Sequence, residues 1–294
     1  MTKTLRILAG SSLLYAASFT LSAQQPEGPP PVIRIFREDI KEGRAPAHEK
    51  NEAKWAQMLA QNKYPNNSLA LVSLTGPSQA WFLEAHASFA SIGQAEAFVG
   101  QNAAVKTQFE TLDSQDAEYR SSSRSWIAVY HPEMSFHAKE LMDTLPKARY
   151  FNVILFRIRQ DHGAEWVDLA KTAIAALQKA VSDQPVVTYQ VVSGAPNTTY
   201  ILFEPTASLA SLDSAPARSQ AMFQAMGDSA TKRFMKSAGE TIASEESVLF
   251  TINPRMSYVS SDFAAADPEF WTPKPAAAKP AAPKPAPKKE TGTK

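Results

Sequence analysis

The sequence WIAVYHPEMSF (residues 126–136) returns later in the chain as VLFTINPRMSY (residues 248–258). Each stretch combines a β-branched and aromatic strand pattern with Pro-x-Met-Ser and a closing aromatic residue, and 122 residues separate the two. A second pair, EAHASFASI (84–92) and EPTASLASL (204–212), lies upstream at a separation of 120 residues. Collinear matches at a nearly constant separation indicate an internal duplication, so we predict two copies of one unit.

Both copies predict the same order of elements. A further match aligns Val32-Ile33 with Val153-Ile154 at a separation of 121 residues. In the first copy we predict strands at 32–37, 68–75, 81–87 and 125–130, a helix within 43–62 and a second helix after Ser88. In the second copy we predict strands at 151–158, 186–192, 199–204 and 248–252, a helix around Trp166 and another within 217–239. The order β-α-β-β-α-β is that of the ferredoxin-like unit, an antiparallel sheet with both helices on one face.

The helix-free faces of the two sheets indicate how the copies pack. Trp81 and Leu83 point to one face of their strand, whereas Phe82 and Glu84 point to the other. Because both faces are largely apolar, we expect helices to cover one face and the second sheet to cover the other. The sequence therefore predicts an α+β fold: two tandem ferredoxin-like (βαββαβ) repeats with antiparallel sheets, packed face to face as an α+β barrel within one chain.

Composition divides the chain into six segments. Lys3 and Arg6, the apolar run 7–21 and Ser22-Ala23 predict a secretory signal peptide at 1–23. We therefore expect an exported protein, periplasmic or extracellular. The remaining segments are a Pro-rich linker (24–31), the first ferredoxin-like repeat (32–136), a linker (137–149), the second ferredoxin-like repeat (150–260) and a disordered Pro/Ala/Lys-rich tail (261–294).

Cysteine content and charge exclude several classes of function. The chain has no Cys, which excludes disulfides, thiolate nucleophiles and a lipid-modified cysteine. Residues 273–294 are basic, and removing them and the signal from the whole-chain charge of +1 leaves about −6 on the body. An acidic body argues against nucleic acid as a partner, while the basic tail offers a contact with an anionic cell envelope. No segment after the signal reaches the ~20 apolar residues of a membrane-spanning helix, so we expect none in the mature chain.

The strand order resembles that of the dimeric α+β barrel superfamily, which includes antibiotic-biosynthesis-monooxygenase-like and NIPSNAP-like domains. The charged segment REDIKEGR (37–44), which leads into His48-Glu49, is similar to the entry to the first helix in such domains. The resemblance covers residues 32–258 and is one of fold. It implies two paired sheets, which a tandem chain would supply internally. The superfamily hosts haem-degrading enzymes, cofactor-free oxygenases, peroxidases, isomerases and proteins without known activity, and fold does not choose among them.

Glu84 and Glu204 are the candidate catalytic residues, because they occupy matching positions on matching strands. On a face that lines the space between the sheets, two carboxylates could act as acid and base or hold a cation. The alternative is that each lies at a strand end, in water or bonded to backbone. His86 shares a strand face with Glu84 and could pair with it for proton transfer or metal binding, in the first copy only, because Thr206 replaces it in the second.

His48 and Glu52 form a further polar pair, at positions i and i+4 of the first helix, and could ligate one ion. Two ligands are too few for a metal site, so a solvated helix face is the favoured interpretation and no metal is predicted. The tryptophans are interpreted as core residues. The chain has no phosphate-binding loop, nucleophile elbow, HExxH or Ser-His-Asp pattern, and no cofactor is identified.

Three hypotheses of function follow. The first is a non-catalytic extracytoplasmic module that binds a small apolar ligand or a protein partner in or beside the apolar space between the sheets. The second is an oxygenase or haem-handling enzyme of the barrel superfamily, with Glu84, His86 or Glu204 in its pocket. The third is an envelope-associated protein attached through its tail.

Overall fold

The structure, a computed structural model, describes residues 28–272. The predicted signal peptide, residues 24–27 of the predicted linker and residues 273–294 of the predicted tail lie outside the described residues.

The two halves of the chain present the same succession of strands and helices. The first half contains β1 (Val32–Ile40), α1 (Ala45–Gln61), β2 (Ser68–Ser73), β3 (Gln79–His86), α2 (Phe89–Gln101), α3 (Ala103–Asp116) and β4 (Arg120–Tyr130). After α4 (Ala138–Thr144), the second half contains β5 (Tyr150–Ile158), α5 (Gly163–Lys179), β6 (Val187–Ser193), β7 (Thr199–Thr206), α6 (Ala215–Met226), α7 (Asp228–Thr241) and β8 (Ile242–Ile252). Two short helices, α8 (Ser261–Ala265) and α9 (Pro268–Trp271), follow.

The second helix predicted for each half is divided into two helices. Asn102 separates α2 from α3, and its side-chain oxygen accepts a hydrogen bond from the Val105 amide (3.2 Å), which caps α3. Gly227 separates α6 from α7 with φ at +81°, a conformation that glycine adopts without the steric penalty of a Cβ atom.

The eight strands close into one antiparallel barrel in the order β1-β3-β2-β8-β5-β7-β6-β4. Each half contributes four neighbouring strands, and the halves join where β2 pairs with β8 and β4 pairs with β6. The first of these seams pairs only residues 71–73 with 250–252. The predicted α+β fold with a closed antiparallel barrel in one chain is thus confirmed, but the two sheets meet edge to edge through hydrogen bonds rather than only face to face.

Strand register defines which residues correspond in the two halves. Val32 pairs with His86 and Val129, and Tyr150 pairs in the same way with Thr206 and Thr251. The first strands therefore correspond at a separation of 118 residues, and the alignment of Val32-Ile33 with Val153-Ile154 is wrong. That alignment errs by an odd number of residues, which would exchange the inner and outer faces of the strand. The matches at 120 and 122 residues agree with the register of β3 with β7 and of β4 with β8.

The barrel interior is a continuous apolar core, and the helices cover the outside of each sheet. Its fully buried members include Ile35, Trp81, Val153, Ile201 and Phe250. Trp126 packs beside Trp81 with ring centroids 6.0 Å apart. The interpretation of these tryptophans as core residues is confirmed.

Parts of the predicted linker (137–149) and of the predicted disordered tail (261–294) are folded against one end of the barrel. In the predicted linker 137–149, Leu141 of α4 and the following Leu145 are buried. In the predicted tail, Trp271 of α9 is 6% exposed, and its indole N–H donates to the Pro146 carbonyl (2.8 Å). The predictions were wrong for these residues because short helices with one or two apolar anchors leave no periodic pattern in the sequence. None of the helices between residues 28 and 272 is long and apolar enough to span a bilayer.

Candidate functional site

Glu84 and His86 lie side by side on the outer face of β3, beneath the helices. The Glu84 Oε2 atom is 2.7 Å from Arg34 Nε and 3.2 Å from His86 Nε2, and the Tyr64 hydroxyl donates to Glu84 Oε1 (2.7 Å). Burial raises the pKa of Glu84, but His86, Arg34 and Tyr64 together hold the pKa below its ordinary value. Glu84 is therefore an ionised carboxylate whose oxygens are already partnered.

Glu204 occupies the equivalent place on β7. Its Oε2 atom accepts a hydrogen bond from Asn152 Nδ2 (2.8 Å), so Asn152 stands where the first half has Arg34. Burial raises the pKa of Glu204. The two candidate carboxylates face the helices of different halves and share no cavity. The expectation that they line the inter-sheet space is corrected, because the alternate residues of β3 and β7, such as Trp81 and Ile201, point inward.

A second group of ionisable side chains lies between the sheet and the helices of the first half. Glu38 on β1, His48 and Glu52 on α1 and Asp116 at the end of α3 are all buried, with potential ligand atoms within 4.8 Å of one another. His48 Nε2 is 2.8 Å from Glu38 Oε2 and 3.6 Å from Asp116 Oδ1. We call these four residues the carboxylate cluster. The favoured interpretation of His48 and Glu52 as a solvated helix face is wrong, since they are 2% and 7% exposed.

Arg120, at the start of β4, supplies a positive charge to the carboxylate cluster. Its Nη1 atom is 2.9 Å from Glu38 Oε1 and 3.1 Å from Asp116 Oδ2. Three carboxylates and an imidazole could coordinate a divalent cation. However, the guanidinium of Arg120 already pairs with two of these carboxylates, so a positively charged side chain takes the place that a metal cation would have.

Glu52 is the member of the carboxylate cluster with the most unusual electrostatic environment. Burial, followed by the neighbouring carboxylates of Glu38 and Asp116, raises the pKa of Glu52 well above its ordinary value, and Arg120 only partly opposes this. Burial and Glu38 also raise the pKa of Asp116. Glu52 therefore keeps its proton to a higher pH than an ordinary glutamate, beside the carboxyl group of Glu38, an arrangement that can pair a proton donor with a proton acceptor.

Glu38, Asp116 and Arg120 are members of the site that the sequence pattern does not predict. They belong to three different elements, and only the pairing of β1 with β4 and the packing of α1 on α3 bring them to His48. The available signal was the i, i+4 pair of His48 and Glu52, which indicates a polar stripe on one helix face.

The second half fills the same place with apolar side chains. By strand register and helix bounds, Glu38, His48, Glu52, Asp116 and Arg120 correspond to Phe156, Trp166, Ala170, Thr241 and Ile242. Four of these five counterparts pack in one apolar cluster, in which the rings of Phe156 and Trp166 are 4.9 Å apart. The fold therefore does not require ionisable groups at this place, and their presence in the first half is specific to that half.

A cavity of about 570 Å³ lies beside the carboxylate cluster. Glu38, Glu52 and Arg120 line one end of this helix-side cavity, and Arg34 and Glu84 line another part of it. Its apolar walls are formed by Phe36, Trp55, Ala56, Leu59, Phe82, Val99, Phe109 and Met256. The exposed side chains of Glu96, Glu110, Asp113 and Arg124 also line this cavity. Apolar walls with convergent polar groups are typical of small-molecule sites.

A second cavity, of about 660 Å³, opens at the end of the barrel covered by α4 and α8. Apolar side chains from the barrel interior, among them Ile33, Leu83 and Phe151, form its floor. Leu141 and Phe263 come from the segments that cover this end. This barrel-end cavity is the apolar inter-sheet space that the sequence predicted.

The superfamily resemblance implies haem for some members. The positions of the histidines show whether a histidine-ligated haem fits either cavity. No histidine lines the helix-side cavity or the barrel-end cavity in the described part of the chain. The buried His48 and His86 each direct Nε2 toward a carboxylate. The residues therefore do not fit a histidine-ligated haem in either cavity.

The chain is similar to known proteins in structure, as the following matches describe. No family model and no curated protein matches the sequence. Among solved structures, a candidate monooxygenase of Fusobacterium nucleatum subsp. nucleatum is 8% identical, with 76% of this chain and 93% of that chain covered and a TM-score of 0.49. An anthrone oxidase-like protein is 9% identical (76% and 91% covered, TM-score 0.48). A mutant chlorite dismutase of Candidatus Nitrospira defluvii is 12% identical (77% and 92% covered, TM-score 0.46).

The closed antiparallel barrel agrees with the resemblance to the dimeric α+β barrel superfamily, which is one of fold. At these identities the likeness concerns the fold alone, so a function has to be argued from the site.

Proposed function

We propose that the helix-side cavity binds a small molecule with an apolar body and a carbonyl group, and that the carboxylate cluster moves a proton on that molecule. One observation carries the proposal: Glu38 and Glu52 line this cavity, whereas the same place in the second half is filled by Phe156 and Ala170. Buried ionisable groups destabilise a fold unless they are well partnered. Their confinement to the half with the cavity favours a role in chemistry.

The residues divide into an acid, a base and positioning groups. Glu52, whose pKa burial and the neighbouring carboxylates raise well above its ordinary value, is the proton donor. Glu38 is the proton acceptor, and His48 (2.8 Å) and Arg120 (2.9 Å) fix its two oxygens. The rings of Phe36, Trp55 and Phe82 hold the apolar body of the ligand.

The reaction that suits this pair is enolisation. Glu38 takes a proton from the carbon next to a carbonyl group, and Glu52 gives its proton to the carbonyl oxygen. The product is the enol. The proton on Glu38 then exchanges with solvent, and the reverse steps return the ketone with a solvent-derived proton on carbon and the proton of Glu52 restored. The exchange is redox-neutral, and donors of this type contribute roughly 10²–10⁴-fold in rate.

The test is hydrogen–deuterium exchange on 2-tetralone, a bicyclic ketone, followed by proton NMR in D₂O. We expect the protein to accelerate loss of the α-proton signals over buffer, and E52Q to reduce the acceleration about 100-fold or more. E240Q, which changes an exposed glutamate of the second half, should exchange like the unsubstituted protein. Exchange no faster than buffer, or unchanged exchange in E52Q, would refute the proposal.

A cavity-filling variant locates the reaction. Ala56 lines the helix-side cavity, and Ile174 is its counterpart on α5. A56F should abolish exchange while its circular dichroism stays native, and I174F should retain exchange. Equal activity in both variants would place the reaction elsewhere.

The barrel-end cavity supports a second proposal, binding of an apolar ligand without chemistry. The observation that favours it is a cavity of about 660 Å³ whose floor is formed by apolar residues of the barrel interior. The neutral fluorescent probe N-phenyl-1-naphthylamine should bind saturably, and V259W, which fills this cavity, should remove the binding while A56F does not. Binding that survives V259W would contradict this proposal.

We also propose that the two halves are tandem ferredoxin-like copies and that the chain is exported. The strand separations of 118, 120 and 122 residues support a common origin of the halves. The charge and hydropathy of residues 1–23 support export. Intact-mass measurement of the protein from periplasmic and culture fractions tests export, because a chain that retains Met1 in the cell contradicts it.

A further inference from the structure

The end of the barrel opposite the barrel-end cavity is lined by arginines. Arg37 on β1 lies inside the barrel, with its guanidinium carbon 4.1 Å from the ring centroid of Trp81 and 4.4 Å from that of Trp126. Arg157 on β5 approaches the same Trp126 ring at 5.7 Å. Two guanidinium groups from opposite halves therefore meet around one buried indole.

Neither guanidinium has an acceptor. Arg37 is only 6% exposed, and within residues 28–272 neither guanidinium forms a hydrogen bond or an ion pair. The Arg37 Nε and Arg157 Nη1 atoms are buried and unpartnered. A buried charge without a counterion is strongly unfavourable, and contact with indole rings offsets only part of the desolvation.

The nearby carboxylates do not neutralise the pair. Asp39, on the same strand as Arg37, forms an ion pair with Arg124 (2.6 Å) and accepts hydrogen bonds from Gln79 (2.8 Å) and Ser122 (2.5 Å). Glu246 on β8 raises the pKa of Arg37 and of Arg157 electrostatically but forms no ion pair with either. Burial, reinforced by Arg124, nevertheless lowers the pKa of Arg37 to about 10. Positive charge therefore exceeds negative charge at this end of the barrel.

We propose that this end of the barrel binds a small oxyanion, a phosphate or a carboxylate group, at the guanidinium groups of Arg37 and Arg157. The planar guanidinium presents N–H donors in a fixed fork that matches the oxygens of such anions. Trp81 and Trp126 hold the plane of Arg37, so the donors are oriented before the anion arrives. The site is separate from the helix-side cavity and is independent of the proton-transfer reaction.

The test uses the full chain in phosphate, acetate or sodium chloride at matched ionic strength, followed by tryptophan fluorescence and thermal unfolding. We expect phosphate or acetate to change both signals saturably and chloride to have no such effect. The anion with the tighter saturation identifies the class: inorganic phosphate or a carboxylate. R37Q and R157Q should each weaken the binding about tenfold or more, because each removes a charged donor.

Two further variants control this experiment. R233Q removes an exposed arginine of α7, which bonds only to Ser229, and should bind like the unsubstituted protein. R37K keeps the charge and loses the fork, so it should fold and show weakened binding even if R37Q does not fold. A response to phosphate and acetate no different from chloride, or equal responses in R37K, R157Q and the unsubstituted protein, would overturn the proposal.

Discussion

His48 Nε2 and Glu38 Oε2 lie 2.8 Å apart at a place where the second half packs the ring of Trp166 against that of Phe156. The same elements of the fold thus hold an ion-pairing group in one half and two aromatic rings in the other. Both arrangements occupy the same layer between sheet and helices. A comparison of the two halves therefore shows that the fold does not need ionisable side chains there.

Grafting the second-half residues into the first half should separate stability from function. We expect the variant E38F/H48W/E52A/D116T/R120I to fold and to be as stable as the unsubstituted chain, or more stable by about 1–4 kcal/mol, because buried ion pairs are often no better than well-packed apolar groups. It should lose exchange of 2-tetralone. Urea unfolding and NMR exchange measure the two effects, and a variant that does not fold would show that the carboxylate cluster is structural.

Glu52 should make stability depend on pH. Its pKa is raised in the folded protein above the ordinary 4.5, so the folded state keeps a proton that the unfolded chain releases. The stabilisation is fully present below pH 4.5 and is lost as the pH rises through the folded pKa. Relative to E52Q, the protein should lose about 1.4 kcal/mol of unfolding free energy per pH unit within that window. Urea unfolding between pH 4.5 and 8 measures the difference, and parallel curves would contradict the raised pKa.

Glu84 and Glu204 should respond differently to the same substitution. E84Q removes one of the two carboxylates that pair with the part-buried Arg34, the other being Glu96, and we expect a loss of about 2–3 kcal/mol at pH 7. E204Q removes a carboxylate whose donor is the neutral Asn152, and we expect a loss of no more than about 1.5 kcal/mol. Because the folded pKa of Glu84 is lowered, its advantage is present above pH 4.5 and disappears as the pH falls through that pKa. Equal losses in the two variants at pH 7 would contradict this assignment.

Gly194 should tolerate no side chain. Its φ is +89°, and a Cβ atom would lie 2.2 Å from the Ser125 carbonyl oxygen and 2.9 Å from Trp126 Cδ1. Gly76 has a similar φ of +73° with open space around it. We expect G76A to cost about 1 kcal/mol and G194A more than about 3 kcal/mol in chemical unfolding. A G194A protein as stable as G76A would show that the strands separate there at little cost.

The sequence supports the barrel better than the site for a physical reason. Strands such as β3 carry apolar residues on both faces, and such a pattern is visible in the sequence of the strand alone. The partners of His48 come from β1, α3 and β4, and their proximity depends on register that only pairing defines. The match of Glu84 with Glu204 agrees with the strand register. The pattern does not tell which face Glu84 occupies, because Glu84 faces the helices only as a result of Trp81 pointing into the barrel. Trp271 is missed because a single anchor on a four-residue helix gives no periodicity.

The two seams of the barrel are formed within one covalent chain, and this changes the thermodynamics of assembly. When separate protomers pair, association costs translational and rotational entropy, and the fraction assembled falls on dilution. Here residues 131–149 tether the halves, so closure is unimolecular and the high effective concentration of one half near the other compensates for a seam as short as 71–73 with 250–252. Symmetry is no longer imposed on the halves, since each position is encoded separately. One half can therefore hold buried ionisable groups at a place where the other half packs apolar side chains.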